Sequence, residues 1–520
     1  MNWPSAKSFL PGWKNALLAL LSSILLILAF PDFDLWFLAW FAFVPLMWAV
    51  ERERESTAKP FVLGWLFGTV FFFGTCWWLA YAPIHYAAFP PLLAYSLVLI
   101  ACLGAGIFPG VFAAVLSVLL RRLGSRALLA APFVWVFTEF LRYWITGNNW
   151  NGLGYSQAFN QLLLPLAKVG GVLFVSWGCV SFAGSILFMV KEASAARLIP
   201  FVPFSLWIML AALIGLIDGS MRVLQKGDLS GPIVAIQPNV PMAGLTYEKW
   251  QALRQRHVGL AQAALQKLTT DHQRPTTVIF PESPMNFQYA DDPETKAFMD
   301  GFARMNNVSV LFNSAEPDRS NGKFFNSAVM VSPEGKEVAQ YDKIYLLPFG
   351  EAVPVPFESI VPAFVGSFSY GKEYDLFPVG NAKAGVMICF ESHFGQLSRE
   401  YVRNGADVII EMTNDGYLGP TPVLRQHLAN AVFRAVETNR PVLRVTNVGI
   451  TAYIDERGEV LDAAQPYTED TRVWSIARSD GSQTFYVRYG DWFAWLCTFV
   501  TLMMAALSFR RKPTVVEQGV

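Results

Sequence analysis

The sequence predicts two architectures in one chain: an α-helical polytopic membrane domain of eight transmembrane helices, and a layered α/β domain inserted before the last of them. Three observations predict it. Apolar residues gather in long blocks before about Gly219 and again from Trp492 to Phe509; basic residues concentrate in alternate connections between those blocks; and from Ser220 to Gly490 strand-like runs alternate with amphipathic helical ones.

Composition frames the reading. Of 520 residues, 53% are hydrophobic and 15% charged, whereas a soluble domain carries roughly a quarter charged residues. The deficit points to a chain partly solvated by lipid. The 40 basic and 40 acidic side chains cancel, which argues against nucleic acid as a partner.

A membrane span needs about 20 mostly apolar residues. Blocks approaching or exceeding that length run from Asn15 to Phe30, Leu35 to Val50, Phe61 to Tyr81, Leu92 to Leu120, Ala127 to Tyr143, Leu163 to Val190, Phe201 to Ile217 and Trp492 to Phe509. The first two are short and joined by PDFD, and Pro109 is expected to kink the fourth or mark its entry. Lys7 and Lys14 precede a first block without an A-x-A-like exit, so the N-terminus is read as retained rather than as a cleaved signal peptide.

Orientation follows from the short connections, because Lys and Arg stay on the cytoplasmic side. One set holds Lys7 and Lys14; Arg52, Arg54 and Lys59; Arg121, Arg122 and Arg126; Lys191 and Arg197; and Arg510, Arg511 and Lys512. The other set, Pro31 to Asp34, Ala82 to Pro90 and Thr146 to Gln161, has no basic residue. Both termini are therefore expected in the cytoplasm, and the domain after the seventh span on the opposite face. In a bacterial inner membrane that face is the periplasm. The boundaries that follow are a membrane domain over 1–219, an exported domain over 220–490, and the eighth span with a cytoplasmic tail over 491–520.

Cys76, Cys102, Cys179 and Cys497 fall inside expected spans, which leaves Cys389 as the only cysteine of the exported domain. An unpaired thiol in an oxidising compartment is a liability unless it is buried or used.

Within that domain strands are expected at Pro232 to Val240, Thr277 to Phe280, Val308 to Asn313, Asn326 to Val331, Ala384 to Ile388, Asp407 to Glu411, Val442 to Thr446 and Ile450 to Asp455. Helices are expected at Tyr247 to Lys267, Glu294 to Met305, Ser392 to Arg403 and Val423 to Thr438. Strands and helices in alternation imply a layered α/β domain. Glu282 directly follows TVIFP, Cys389 directly follows AGVMI, and Lys343 comes at QYDK a few residues after a hairpin. The crevice outside the carboxyl ends of strands is the usual ligand site of such sheets. A thiol is mostly protonated at neutral pH, and free N–H groups at a strand-to-helix turn favour its thiolate. A carboxylate to move its proton and an ammonium to meet an oxyanion complete the residue types needed for acyl transfer.

FPES around Glu282, YDKIYLLPFGE from Tyr341 to Glu351 and MICFES around Cys389 resemble the Glu-Lys-Cys triad of the nitrilase (carbon-nitrogen hydrolase) superfamily. With the spans on either side, the whole chain resembles the membrane-embedded branch of that superfamily, which N-acylates lipoproteins. The resemblance implies an αββα sandwich facing the periplasm. It also implies a ping-pong acyl transfer from a phospholipid, through a Cys389 thioester, to the amino group of an S-diacylglyceryl cysteine that begins a diacylated apolipoprotein. Glu282 is then general base and acid, Lys343 stabilises the oxyanion, and Glu351 and Glu391 support the site. Lipid bilayer, phospholipid donor and lipoprotein acceptor are the partners so implied, with the enzyme a monomer. Where relatives carry an aromatic residue after a Gln-x-x-(Ile/Val)-Pro segment, Tyr247 or Trp250 stands here without a clear assignment; Phe390 follows the nucleophile where some relatives have tyrosine.

Other residues keep two readings. Asn414 in TNDG either lines the site or forms an Asx turn. Glu139, unfavourable in lipid, pairs with Arg142 on the same helix face or meets a lipid headgroup, pairing being favoured. The segment Pro348 to Tyr370 is read as an arm or lid that reaches the headgroups, against ordinary packing. Histidines 85, 257, 272, 393 and 427 show no metal-ligand spacing and no phosphate loop is present, so neither metal nor cofactor is expected. The competing functions are a tethered amidase or nitrilase acting on a soluble substrate, and a transporter with a receptor-like exported domain.

Overall fold

The computed structural model describes residues 9–192, 213, 231–243, 246–271, 273–282, 287–353 and 368–510. The chain divides into two compact units, one formed by residues 1–219, 421–426 and 489–520, the other by residues 220–420 and 427–488.

The first unit is helical. Its helices are α1 (Trp13–Ala29), α2 (Phe43–Arg52), α3 (Ala58–Cys76), α4 (Tyr81–Tyr86), α5 (Pro91–Leu123), α6 (Ala131–Thr146) and α7 (Ala167–Lys191), with a further helix at Trp492–Arg510. Among the described residues three stretches are long and apolar enough to cross a membrane: Ala58–Tyr86, Pro91–Leu129 and Leu164–Lys191. Trp13–Ala29 and Trp492–Ser508 are apolar but shorter. The block expected as a second span is broken into a 3-10 turn at Trp36–Trp40 and the ten-residue α2. Pro45 lies in the first turn of α2, where its missing N–H is tolerated and which it helps to define as a start. The expected seventh span, 201–217, lies outside the described residues except Leu213.

Helices α3 and α5 pack directly against each other. A Cβ at Gly64 would stand 2.2 Å from the Pro109 carbonyl oxygen, so only glycine lets the backbones approach this closely. Pro109 lies inside α5 rather than at its entry. Glu139 and Arg142 attract one another by charge but make no direct ion pair, which revises the favoured reading. Glu139 accepts the Leu153 N–H at 2.6 Å, while Arg142 donates to the Trp150 carbonyl at 3.0 Å and to Asn149 Oδ1 at 2.7 Å. The irregular loop after α6 carries backbone groups with no helical partners, and these two buried side chains satisfy them. Gln426, from the short segment that joins this unit, accepts from the indole N–H of Trp78 at 3.1 Å and of Trp150 at 3.2 Å, and donates to the Thr75 carbonyl at 3.0 Å.

The second unit holds two six-stranded sheets, ordered β12-β1-β2-β3-β4-β5 and β11-β10-β9-β8-β7-β6. The first comprises β1 (Ile233–Gln237), β2 (Thr277–Ile279), β3 (Ser309–Asp318), β4 (Lys323–Val331), β5 (Glu337–Asp342) and β12 (Asp470–Trp474); the second comprises β6 (Leu376–Val379), β7 (Ala382–Ile388), β8 (Val408–Thr413), β9 (Val442–Thr446), β10 (Ala452–Ile454) and β11 (Val460–Leu461). Each centres on three parallel strands, β1-β2-β3 and β7-β8-β9, with antiparallel strands outside. The sheets meet face to face through β1 with β9 and β4 with β7.

Helices cover the outer faces. Ala261, Leu265 and Leu268 of the helix Tyr247–Thr270, and Met299, Phe302 and Ala303 of the helix Pro293–Asn306, pack on Val234, Ile236, Val278, Val310 and Val329 of the first sheet. On the second sheet the helix Gly395–Arg403 packs against β7, where Gly385 leaves room for the Tyr401 ring. The Tyr401 hydroxyl donates to the Val386 carbonyl at 2.6 Å. This is the helix–sheet–sheet–helix layering of a nitrilase-like α/β domain. The strands buried on both faces read as unbroken apolar runs, as IVAIQ and AGVMI do.

Candidate active site

Parallel strands point their carboxyl ends the same way, so residues just past β2, β7 and β8 gather at common edges of the layers. Glu282 lies three residues beyond β2, Lys343 one residue beyond β5, Cys389 one beyond β7 and Asn414 one beyond β8. The structure brings Glu282, Lys343, Glu351 and Cys389 into one cluster.

Lys343 is 1% exposed, and its Nζ stands 2.8 Å from Glu351 and 3.9 Å from Glu282 Oε1. Burial alone would lower its pKa; Glu351 and then Glu282 overturn that and hold the ammonium charged well above the ordinary lysine range. Glu351 is itself fixed by the Leu347 N–H at 2.7 Å. Burial pushes the Glu282 carboxyl up, against the pull of Lys343, and Glu282 and the Cys389 thiol lie close enough for each to act on the other's proton. Burial and then Glu282 push the Cys389 thiol well above its usual value, with Lys343 opposing. The resting sulfur is therefore a thiol, with a neighbouring carboxylate of raised basicity to take its proton.

Cys389 has φ of +53°, in the left-handed region. A side chain held there is strained by about 1–3 kcal/mol unless its surroundings hold it. Part of the hold comes from Glu391, fully buried two residues on. Its Oε2 accepts the Ile388 N–H at 2.9 Å, while Oε1 accepts the Tyr341 hydroxyl at 2.7 Å and the N–H groups of Ile344 and Tyr345 at 2.8 and 3.0 Å. One carboxylate thus fastens the cysteine turn to the segment that carries Lys343. Burial lifts its pKa to about 7.

Asn414 forms the Asx turn: its Oδ1 accepts the Gly416 N–H at 3.3 Å, and also Asn447 Nδ2 at 3.1 Å. Residues 354–367 of the expected lid lie outside the described residues, as do the side chains of Tyr247 and Trp250.

Two functional neighbours escaped the sequence reading. Asn326 Nδ2 donates to Glu282 Oε1 at 3.0 Å and to Glu351 Oε1 at 2.7 Å, and its own Oδ1 accepts from Asn313 at 2.7 Å. Asparagine is unfavourable in strands, but only the pairing of β3 with β4 shows that Asn313 and Asn326 meet. His427, weighed only as a metal ligand, approaches the Cys389 carbonyl oxygen with Nε2 at 3.0 Å.

Residues 22–185 match the family model described as the apolipoprotein N-acyltransferase N-terminal domain, and residues 248–486 match carbon-nitrogen hydrolase. A protein of Geobacter metallireducens named apolipoprotein N-acyltransferase is 32% identical over 512 residues, covering 96% of each chain. One of the same name from Pasteurella multocida is 28% identical, covering 94% of each. The solved structure of Saccharomyces cerevisiae Nit3, described as a member of branch 10 of the nitrilase superfamily, is 16% identical with a TM-score of 0.38, covering 49% of this chain and 92% of Nit3. On the strength of full-length similarity at this level, the chain belongs to the apolipoprotein N-acyltransferase family.

Proposed function

We propose that this protein transfers a fatty acyl chain from a phospholipid to the α-amino group of the S-diacylglyceryl cysteine that begins an apolipoprotein, with Cys389 as the nucleophile. One observation carries the reading: a thiol in a left-handed turn lies within electrostatic reach of Glu282 and of a buried ammonium held between two carboxylates. The name shared by the full-length relatives supports the choice of substrates.

In the first half-reaction Glu282 takes the thiol proton as Sγ attacks the ester carbonyl carbon. The oxyanion of the tetrahedral intermediate meets the Lys343 ammonium, which is already desolvated and oriented and needs no reorganisation. The ester C–O bond breaks, Glu282 protonates the leaving alkoxide, and a lysophospholipid departs, leaving a thioester on Cys389. In the second, the lipoprotein amine attacks the thioester carbon and Glu282 receives the amine proton. The C–S bond breaks, the proton returns to sulfur, and an amide remains on the lipoprotein. Glu351 keeps Lys343 in place, Glu391 holds the turn, and Asn414 shapes the next loop.

The alternation of basic connections supports both termini in the cytoplasm and a periplasmic catalytic domain over 220–490. Both substrates keep their chains in the bilayer, so a site fixed at its surface raises their effective concentration.

The test is incubation of the full-length protein in proteoliposomes with acyl-labelled phospholipid, then with a diacylated lipopeptide. A labelled Cys389 thioester that the lipopeptide discharges is expected, absent from Cys389→Ala. Label released as free fatty acid, with none passing to the lipopeptide, would instead favour a hydrolase.

A further inference from the structure

Behind the cysteine turn lies a second cluster of charges that the proposed chemistry does not use. Glu411 on β8 and Arg444 on β9 are register partners, with Arg444 NH1 2.5 Å from Glu411 Oε1. Arg444 NH2 reaches Asp415 Oδ2 at 2.7 Å. His427, on the helix Val423–Thr438, completes the group: Nδ1 lies 2.7 Å from Asp415 Oδ1, and Nε2 lies 3.1 Å from Glu411 Oε1 and 3.0 Å from the Cys389 carbonyl oxygen. Glu411 and Arg444 are 0% exposed, Asp415 2% and His427 3%.

Both imidazole nitrogens face acceptors, Asp415 Oδ1 on one side and Glu411 Oε1 and the Cys389 carbonyl oxygen on the other, so each carries a proton and the ring is a cation. Burial is the largest single influence and opposes that charge, but Asp415 and Glu411 together overcome it and raise the His427 pKa to about 9. The charged groups facing it are Asp415, Arg444 and Glu411. Two cations and two anions are balanced out of reach of water. Such a set is commonly no more stabilising than well-packed apolar residues of the same volume, so stability alone does not account for it. It reaches the nucleophile directly through the bond to the Cys389 carbonyl.

We propose that His427 is a positioning residue for Cys389: anchored by Asp415 and Glu411, with Arg444 balancing their charge, it grips the nucleophile's own carbonyl and fixes the peptide in its left-handed turn. The peptide unit is planar and trans, so fixing the carbonyl also fixes the direction of the Phe390 N–H. The inference rests on the reading of Cys389 as the nucleophile.

The experiment compares His427→Gln, whose amide N–H replaces the Nε2 donor to Cys389, with His427→Asn, which keeps a donor only near Asp415. The full-length protein is assayed for Tm, for single-turnover acylation of Cys389 by phospholipid, for donor KM, and for Cys389 alkylation by iodoacetamide. We expect His427→Asn to slow both acylation and alkylation by about tenfold or more, the scale of a misplaced reacting group, with donor KM unchanged. His427→Gln should recover most of the rate. Equal rates in the two variants, or losses that merely follow the fraction folded, would overturn the proposal. Should His427→Asn not fold, the isosteric Asp415→Asn removes the anchor of the cation and must slow both reactions; wild-type rates there would overturn it equally. Alkylation needs no lipid, so a wild-type protein that forms no thioester would refute the acyl-transfer reading while the alkylation comparison still judges His427.

Discussion

Glu391 Oε1 accepts the backbone N–H of Ile344 at 2.8 Å, which fastens the turn after β7 in one sheet to the segment after β5 in the other. Because Ile344 follows Lys343 directly, this bond sets the separation of nucleophile and ammonium. Glu391→Gln replaces one acceptor oxygen with a donor that must face an N–H or hydroxyl already pointing at it. Lost stability of about 1–3 kcal/mol is expected from the unpaired buried groups. Thermal unfolding and thioester formation measured on the same preparation should fall together.

Asn326 donates to both Glu282 and Glu351. Its hydrogen bond lowers the Glu282 pKa against the raising effect of burial. Asn326→Ala removes that bond, so Glu282 should hold its proton to higher pH. The acid limb of the pH–rate profile for thioester formation is expected to move upward, with less activity on the acidic side; an unmoved limb would remove Asn326 from the site.

The Cys389 thiol is pushed up by burial and by Glu282, and drawn down by Lys343. Alkylation of Cys389 should therefore still be rising with pH above the ordinary thiol value of 9.0. Lys343→Met removes the opposing cation and should shift the curve further upward. Mass spectrometry of the alkylated peptide over a pH series reads both.

His427 supplies a second pH signature. Its folded pKa of about 9 lies above the ordinary 6.5, so the native state holds a proton that the unfolded chain releases. The stability this contributes is fully present below pH 6.5 and is lost as pH rises through about 9. Tm of the wild type should fall across that window more steeply than Tm of His427→Gln.

In the helical unit, Gly64→Val would drive a side chain into the Pro109 carbonyl, whose oxygen lies 2.2 Å from the Cβ position. Forced separation of α3 and α5 by overpacking is expected to cost about 1–3 kcal/mol. A lowered Tm in detergent checks it.

The sequence alone determined where the chain turns from lipid-soluble to water-soluble composition, because hydrophobicity is a property of residues rather than of contacts. It also determined which strands would be buried and that Glu282 and Cys389 would follow strand ends, since unbroken apolar runs such as AGVMI leave little else for the next polar residue to be. Edge strands β5, β6, β11 and β12 escaped: β5 and β12 are half polar, β6 and β11 are only four and two residues long, and β12 pairs with β1 from far along the chain. The break in the expected second span turned on Pro45 and local packing, which periodicity does not weigh. Only the tertiary structure decided which partner each polar group takes. Glu139 and Arg142 were neighbours on one helix face, yet an irregular loop offered better-matched donors and acceptors. Asn326 and His427 have no meaning until strands and helices far apart in the chain place Glu282 and Cys389 beside them, because a hydrogen bond depends on separations of a few tenths of an ångström that no spacing along the sequence encodes.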